Sequence, residues 1–151
     1  MRRLALLALT ALTTVFAVSS ALAAAPPAKV GVRSTPLGSV LVDGRGRTLY
    51  VFDLGACTGS CAAAWPPYLT AAKPKGVAKL GTKKLAGGRL QVTFAGKPLY
   101  HYAADVKPGQ VAGASVAHWF ALTSTGAKVH APTAPPDAPM PPGYGDGGYR
   151  R

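Results

Sequence analysis

GSVLVDGRGRTLYVF, residues Gly38 to Phe52, recurs fifty positions later as GRLQVTFAGKPLYHY, Gly88 to Tyr102, without a gap. Val40 and Val42 map to Leu90 and Val92, Gly46 to Gly96, Arg47 to Lys97, Leu49 to Leu99, Tyr50 to Tyr100, and Phe52 to Tyr102. Agreement at apolar, turn and aromatic positions is the signature of a duplicated supersecondary unit.

Each copy reads as a β-hairpin. Val40-Leu41-Val42 is a β-branched extended run, Asp43-Gly44-Arg45-Gly46 is turn chemistry, and Arg47 to Phe52 returns as a second strand. In the second copy Leu90 to Phe94 runs out, Ala95-Gly96 turns, and Lys97 to Tyr102 returns. Alternation puts Leu90, Val92 and Phe94 on one face and Gln91 and Thr93 on the other. It pairs Tyr50 with Phe52 and Tyr100 with Tyr102, and turns His101 the opposite way.

Each hairpin is followed by a loop ending in tryptophan, Gly59 to Trp65 and Gly113 to Trp119. The offset here is fifty-four, so the second copy carries four extra residues. Cys61 to Trp65 fits one helical turn, stopped by Pro66 and Pro67. Trp119 to Leu122 reads as a strand, Thr125-Gly126 as a turn, Lys128 to His130 as a closing segment, and Val30-Gly31-Val32 as a leading strand. The expectation is a mostly β fold. It is a small single domain of two tandem hairpin repeats, sandwich or barrel-like, with six to eight short strands and little helix.

The segments around this unit set its location. Arg2 and Arg3, an apolar run from Leu4 to Val18 and the small residues of Ala21-Leu22-Ala23 form a secretory signal peptide over residues 1–23. The run is short of the about 20 apolar residues a membrane span requires. Cleavage would leave no transmembrane anchor, and no cysteine follows the apolar run to carry a lipid anchor. The mature protein is expected to be secreted or periplasmic. Residues 24–29 form a short lead and 30–130 the folded domain. Residues 131–151 form a tail dense in Pro and Gly that reads as disordered, because it has too few apolar side chains to offset its ordering entropy.

The full chain carries a formal charge of +12, or +10 without Arg2 and Arg3, and contains no Glu. Lys73, Lys75, Lys79, Lys83, Lys84 and Arg89 concentrate the positive charge. In the cytosol this would suggest nucleic acid. For an exported protein the charge reads either as a solvated, solubilising surface or as the contact for an anionic envelope component, polymer or lipid head group, with no nucleic acid.

Cys57 and Cys61 are the only cysteines, and in an exported chain such a pair is expected to form a disulfide. The alternative is an extracytoplasmic redox or copper-handling factor, with Cys57, Cys61, His101 and His118 as ligands and His130 also available. Zinc would need a further cysteine pair, and covalent haem a histidine at the position of Ala62. Tyr50, Phe52, Tyr100, Tyr102, Trp65 and Trp119 form an aromatic constellation, read first as core. Asp53 and Asp105 follow the aromatics as exit-turn residues and have no carboxylate partner for paired acid–base hydrolysis. A Cys–His hydrolase would need a free thiolate, and no nucleotide-binding glycine motif is present. No catalytic residue and no resident cofactor are assigned.

GRTLYVFD, CTGSCAAAWPP, and GKPLYHYAAD followed by PGQVAG and a tryptophan together resemble the bacterial secreted repeat of unknown function family. That family is described as predicted lipoproteins with a Yx(F/W/Y)xxD motif. The resemblance covers about Ser39 to Lys128. Tyr100-His101-Tyr102-Ala103-Ala104-Asp105 fits the motif, whereas in the first copy Asp53 follows Phe52 directly. The lipoprotein cysteine is missing, so tethering does not carry over. The resemblance implies an exported, tandem-repeat, non-enzymatic module.

Overall fold

A computed structural model describes residues 26–131. The signal peptide, residues 24 and 25 of the lead, and the tail from 132 onward lie outside the described residues. Strand β1 (Lys29–Thr35) folds back on β2 (Gly38–Asp43), in register from Val30 opposite Asp43 to Thr35 opposite Gly38. β3 (Tyr50–Phe52) follows, then the single helical turn α1 (Cys61–Ala64) and the short strands β4 (Leu69–Thr70) and β5 (Lys75–Gly76). β6 (Leu80–Lys84) and β7 (Leu90–Phe94) form a second antiparallel pair, extended by β8 (Lys97–Pro98). β9 (Trp119–Leu122) and β10 (Lys128–Val129) complete the chain.

The fold is mostly β, as expected, but the described residues form ten short strands rather than six to eight, divided among three small sheets rather than one closed barrel. The sheets run β2-β1-β5, β10-β9-β3 and β4-β7-β6, with β8 on the free side of β7's turn. No helix among the described residues is long and apolar enough to cross a membrane.

The two predicted hairpins close differently. In the second, Ala95 and Gly96 both adopt positive φ, 47° and 79°, which suits a two-residue turn between twisted strands. In the first, the Asp43 carboxylate accepts hydrogen bonds from Arg45 N (2.8 Å) and Arg47 N (3.0 Å), with Gly46 at φ 82°. The longer turn shifts the register by one: Val42 faces Thr48, whereas Thr93, not Val92, faces Pro98. It also ends the first hairpin early. Arg47 to Phe52 does not return along β2; after Leu49 N bonds Leu41 O (2.9 Å) the chain leaves, and β3 pairs with β9.

The repeats are related by an approximate two-fold axis, visible in the bonds themselves. Tyr50 N donates to Tyr100 O and Tyr100 N to Tyr50 O, both at 2.9 Å, so a residue pairs with its own counterpart. Tyr50 opposite Ala121 is matched by Tyr100 opposite Pro67, fifty and fifty-four positions away. Asp53 N to His118 O (3.1 Å) is matched by Ala103 N to Ala64 O (2.8 Å). Only the Trp119 copy is a full strand, because Pro66 and Pro67 lack the N–H groups a ladder needs. The correspondence extends further than Gly38: Lys29-Val30-Gly31 at the start of β1 matches Lys79-Leu80-Gly81, where Lys79 is the turn residue before β6.

Alternation along the two central segments sorts the core into two clusters. Leu49, Val51 and Leu99 face a mainly aliphatic cluster with Val30, Leu41, Val92 and Leu122, joined by Phe94. Tyr50 and Tyr100 face the other way, against Trp65 and Trp119. The two tryptophans stack across the axis with centroids 3.6 Å apart and planes 2° from parallel. The flanking contacts come in pairs. Phe52 lies on Trp119 (4.7 Å) and Tyr102 on Trp65 (4.4 Å), while Tyr50 is edge-on to Trp65 (5.5 Å) and Tyr100 edge-on to Trp119 (5.3 Å). Such pairs contribute about 0.5–1.5 kcal/mol each beyond area burial.

Candidate functional site

Where the two halves cease to match, the structure becomes asymmetric. The tyrosines on the axis have the same ring environment and opposite hydroxyl environments. The Tyr50 hydroxyl donates to Asp105 Oδ2 at 2.5 Å, and Asp105 Oδ1 accepts from Ala112 N at 3.0 Å. Asp105 is 2 % exposed, and burial together with this carboxylate pushes the Tyr50 phenol far above its ordinary range. The Tyr100 hydroxyl instead accepts a hydrogen bond from Cys57 N at 3.3 Å.

The loops covering the two tyrosines explain the difference. The four additional residues of the second copy fall between Ala103 and Gly113, and they deliver Asp105. Gly113 then packs so tightly that a Cβ there would lie 2.8 Å from Tyr50 Cζ and 2.9 Å from Trp65 Cη2. Its counterpart Gly59 has nothing within 4 Å of that position. The shorter first loop is closed by the Cys57–Cys61 disulfide, as expected from the sequence, with Cα atoms 5.4 Å apart. Cys61 starts α1, Trp65 N bonds Cys61 O (2.9 Å), and the two prolines end the turn.

Beside Tyr100 a cleft of about 240 Å³ lies between this loop and the β6–β7 pair. Thr58, Gly59 and Ala62 form one wall, and Lys83 and Arg89 belong to the other. Tyr100 and Gln91 lie at the base, both almost fully buried. Gln91 Nε2 donates to Leu99 O at 2.9 Å, which fixes its position. Lys83 stands directly opposite Gln91 in the strand register.

A second polar group lies on the opposite face of the central segments. His101 Nε2 is 3.0 Å from Asp43 Oδ2, Arg47 Nε donates to the same oxygen at 3.1 Å, and the His101 ring meets Tyr68 edge-on. Burial opposes ionisation of Asp43. Hydrogen bonds from His101 and from the Arg47 and Arg45 amides outweigh it and hold the carboxyl far below the usual aspartate range. Burial and the neighbouring Asp43 charge raise the Tyr68 phenol.

The candidate copper ligands are placed apart. Both thiols are in the disulfide, His101 is tied to Asp43, and His118 Nδ1 pairs with Asp53 Oδ1 at 3.2 Å. Among the described residues no group of three or more His, Cys, Asp or Glu side chains is arranged around a common point. Asp105 holds its exit loop through Ala112 N, and both aspartates make longer-range contacts as well. Asp53 meets His118 and, at 3.8 Å, Lys128, and Asp105 reaches across to the other repeat. The motif aspartate therefore serves the partner repeat's tyrosine rather than its own. The sequence places Asp43 in a turn and Arg47 and Gln91 in strands, without indicating their side-chain partners. Asp43-Gly44 was a visible turn signal, but nothing local shows a side chain bonded 58 positions away.

A model of the family described as secreted repeat of unknown function matches residues 31–68 and 81–123, one segment in each half of the axis. No curated protein and no solved structure matches the chain.

Proposed function

The chain belongs to the family of secreted repeats of unknown function, and from that premise we propose that it is a non-enzymatic binding module for an anionic component of the cell envelope. The supporting observation is the uncompensated positive charge carried by residues 73–89. Lys73, Lys75, Lys79, Lys83, Lys84 and Arg89 are all exposed, and none forms an ion pair among the described residues. The three acids among the described residues are engaged elsewhere: Asp43 by Arg47 and His101, Asp53 by His118 and Lys128, and Asp105 by Tyr50. An exposed field of one sign attracts polyanions and is screened by salt.

The reading of the chain as non-enzymatic draws support from the same engagement of its reactive groups. The thiols are joined, and His101 and His118 each face a carboxylate rather than a nucleophile. The test is retention of the mature protein on immobilised polygalacturonate at rising salt. Retention should fall with salt and should be lost in a Lys79→Glu, Lys84→Glu double variant that still folds. Retention that is indifferent to both salt and charge reversal contradicts the reading.

A further inference from the structure

Tyr100 is 2 % exposed, and its hydroxyl oxygen already accepts a hydrogen bond from Cys57 N. Its own proton has no acceptor among the described residues. A buried donor of this kind costs free energy unless something receives it. Its symmetry mate shows what that something is. The Tyr50 hydroxyl gives its proton to a carboxylate oxygen, supplied by the four-residue extension of the second copy. At Tyr100 the described residues provide no such carboxylate. They provide a cleft of about 240 Å³ with Tyr100 at its base and two cations on its wall.

We propose that the cleft over Tyr100 is a carboxylate-binding site, in which the ligand's carboxylate takes the place that Asp105 takes beside Tyr50. Tyr100 donates its hydroxyl proton to the ligand, and Lys83 and Arg89 oppose its charge. Arg89 presents a planar fork of donors suited to a carboxylate. The rest of the lining is apolar or small, Ala62, Pro67, Leu85 and Ala86, and accommodates an uncharged body attached to the acid. The volume lies below the about 300–1,000 Å³ of drug-sized pockets, so the site fits one acid of monosaccharide size, free or as a unit of a polymer. This assignment rests on the reading of the chain as an anion-binding module and gives it a specific ligand group.

The probes are galacturonate, galactose as its uncharged analogue, inorganic phosphate and polygalacturonate, titrated into the disulfide-bonded mature protein and followed by amide chemical shifts. Galacturonate should move the signals of Thr58, Gly59 and Lys83, and galactose should not. Tyr100→Phe should weaken galacturonate binding about tenfold or more, the loss expected for a hydrogen bond to a charged group. Arg89→Ala alters an exposed residue and tests the same cleft should Tyr100→Phe disturb folding; it should weaken binding to a similar extent. Equal shifts with galactose, tighter binding of phosphate, or galacturonate shifts confined to Lys73, Lys75 and Lys79 each overturn the carboxylate cleft. In the last case polygalacturonate retention stands, and so does the broader module. Failure of the wild-type protein to retain polygalacturonate at low salt overturns the module reading instead, and cleft shifts with the single sugar acid still support the site.

Discussion

Removing the Asp105 carboxylate isolates the largest asymmetry between the two repeats. In Asp105→Ala the Tyr50 hydroxyl, fully buried, loses its acceptor at 2.5 Å, and Ala112 N loses its acceptor at 3.0 Å. A hydrogen bond to a charged group contributes about 1.5–3 kcal/mol, and a stranded buried donor costs about 1–3 kcal/mol. Because these estimates overlap, the expected loss is about 2–4 kcal/mol, a large share of a small domain's stability. Tyr50→Phe should cost about 1.5–3 kcal/mol, since Asp105 keeps Ala112 N. The double variant should fall short of the sum by about 1–2 kcal/mol, because the shared bond can be lost only once. Urea unfolding followed by tryptophan fluorescence reads all four proteins. With a slope of about 1–3 kcal/mol per molar, Asp105→Ala should lower the midpoint by about 1–2 M. Tyr100→Phe supplies the comparison across the axis. It takes the acceptor of a 3.3 Å bond from Cys57 N but also removes a buried hydroxyl proton without an acceptor, and should cost about 1 kcal/mol or less. Additive losses in the cycle, or equal losses at Tyr50 and Tyr100, would refute the argument that Asp105 locks one half onto the other.

Three further outcomes follow from the geometry. Gly113→Ala should destabilise by about 1–3 kcal/mol, because its Cβ would meet the Tyr50 and Trp65 rings. Gly59→Ala meets no atoms and should cost only the about 1–2 kcal/mol of its positive φ; thermal melts of both variants decide this. The Asp43 carboxyl is depressed in the folded protein, so its contribution is fully present above the ordinary aspartate pKa and fades as pH falls towards the folded value. Urea midpoints between neutral and acidic pH should therefore fall more steeply for the wild type than for Asp43→Asn, and parallel slopes would contradict the assignment. Reducing Cys57–Cys61 should lower stability by about 2 kcal/mol, the chain-entropy value for so short a loop, measured by unfolding with and without reductant.

The duplication was legible because it rests on patterns that repeat locally: apolar alternation in Val40 to Val42 and Leu90 to Phe94, turn glycines at 46 and 96, and a tryptophan closing each loop. The faces of Tyr50, Tyr100 and His101 followed from period two alone. The partner of β3 was not legible, since a sequence of three strand residues does not show whether it returns along β2 or crosses to Trp119 to Leu122. The one-residue register shift was hidden for a related reason. The copies align without a gap, and only the bonds from Asp43 to the Arg45 and Arg47 amides lengthen the first turn. The roles of Asp105 and of the cleft depend on contacts between halves more than forty residues apart. The four-residue difference in loop length marked the place but not what it does.

The bond between Tyr50 and Tyr100 is the kind of contact that two identical subunits make across an isologous interface, where a residue must meet itself. Here both surfaces belong to one polypeptide. The association is intramolecular, so dilution cannot separate the halves. Fusion also lifts a constraint. A homodimer of one repeat must repeat every feature on both sides and present two sealed tyrosines or two open ones. A single chain can seal one with its own aspartate and keep the other open.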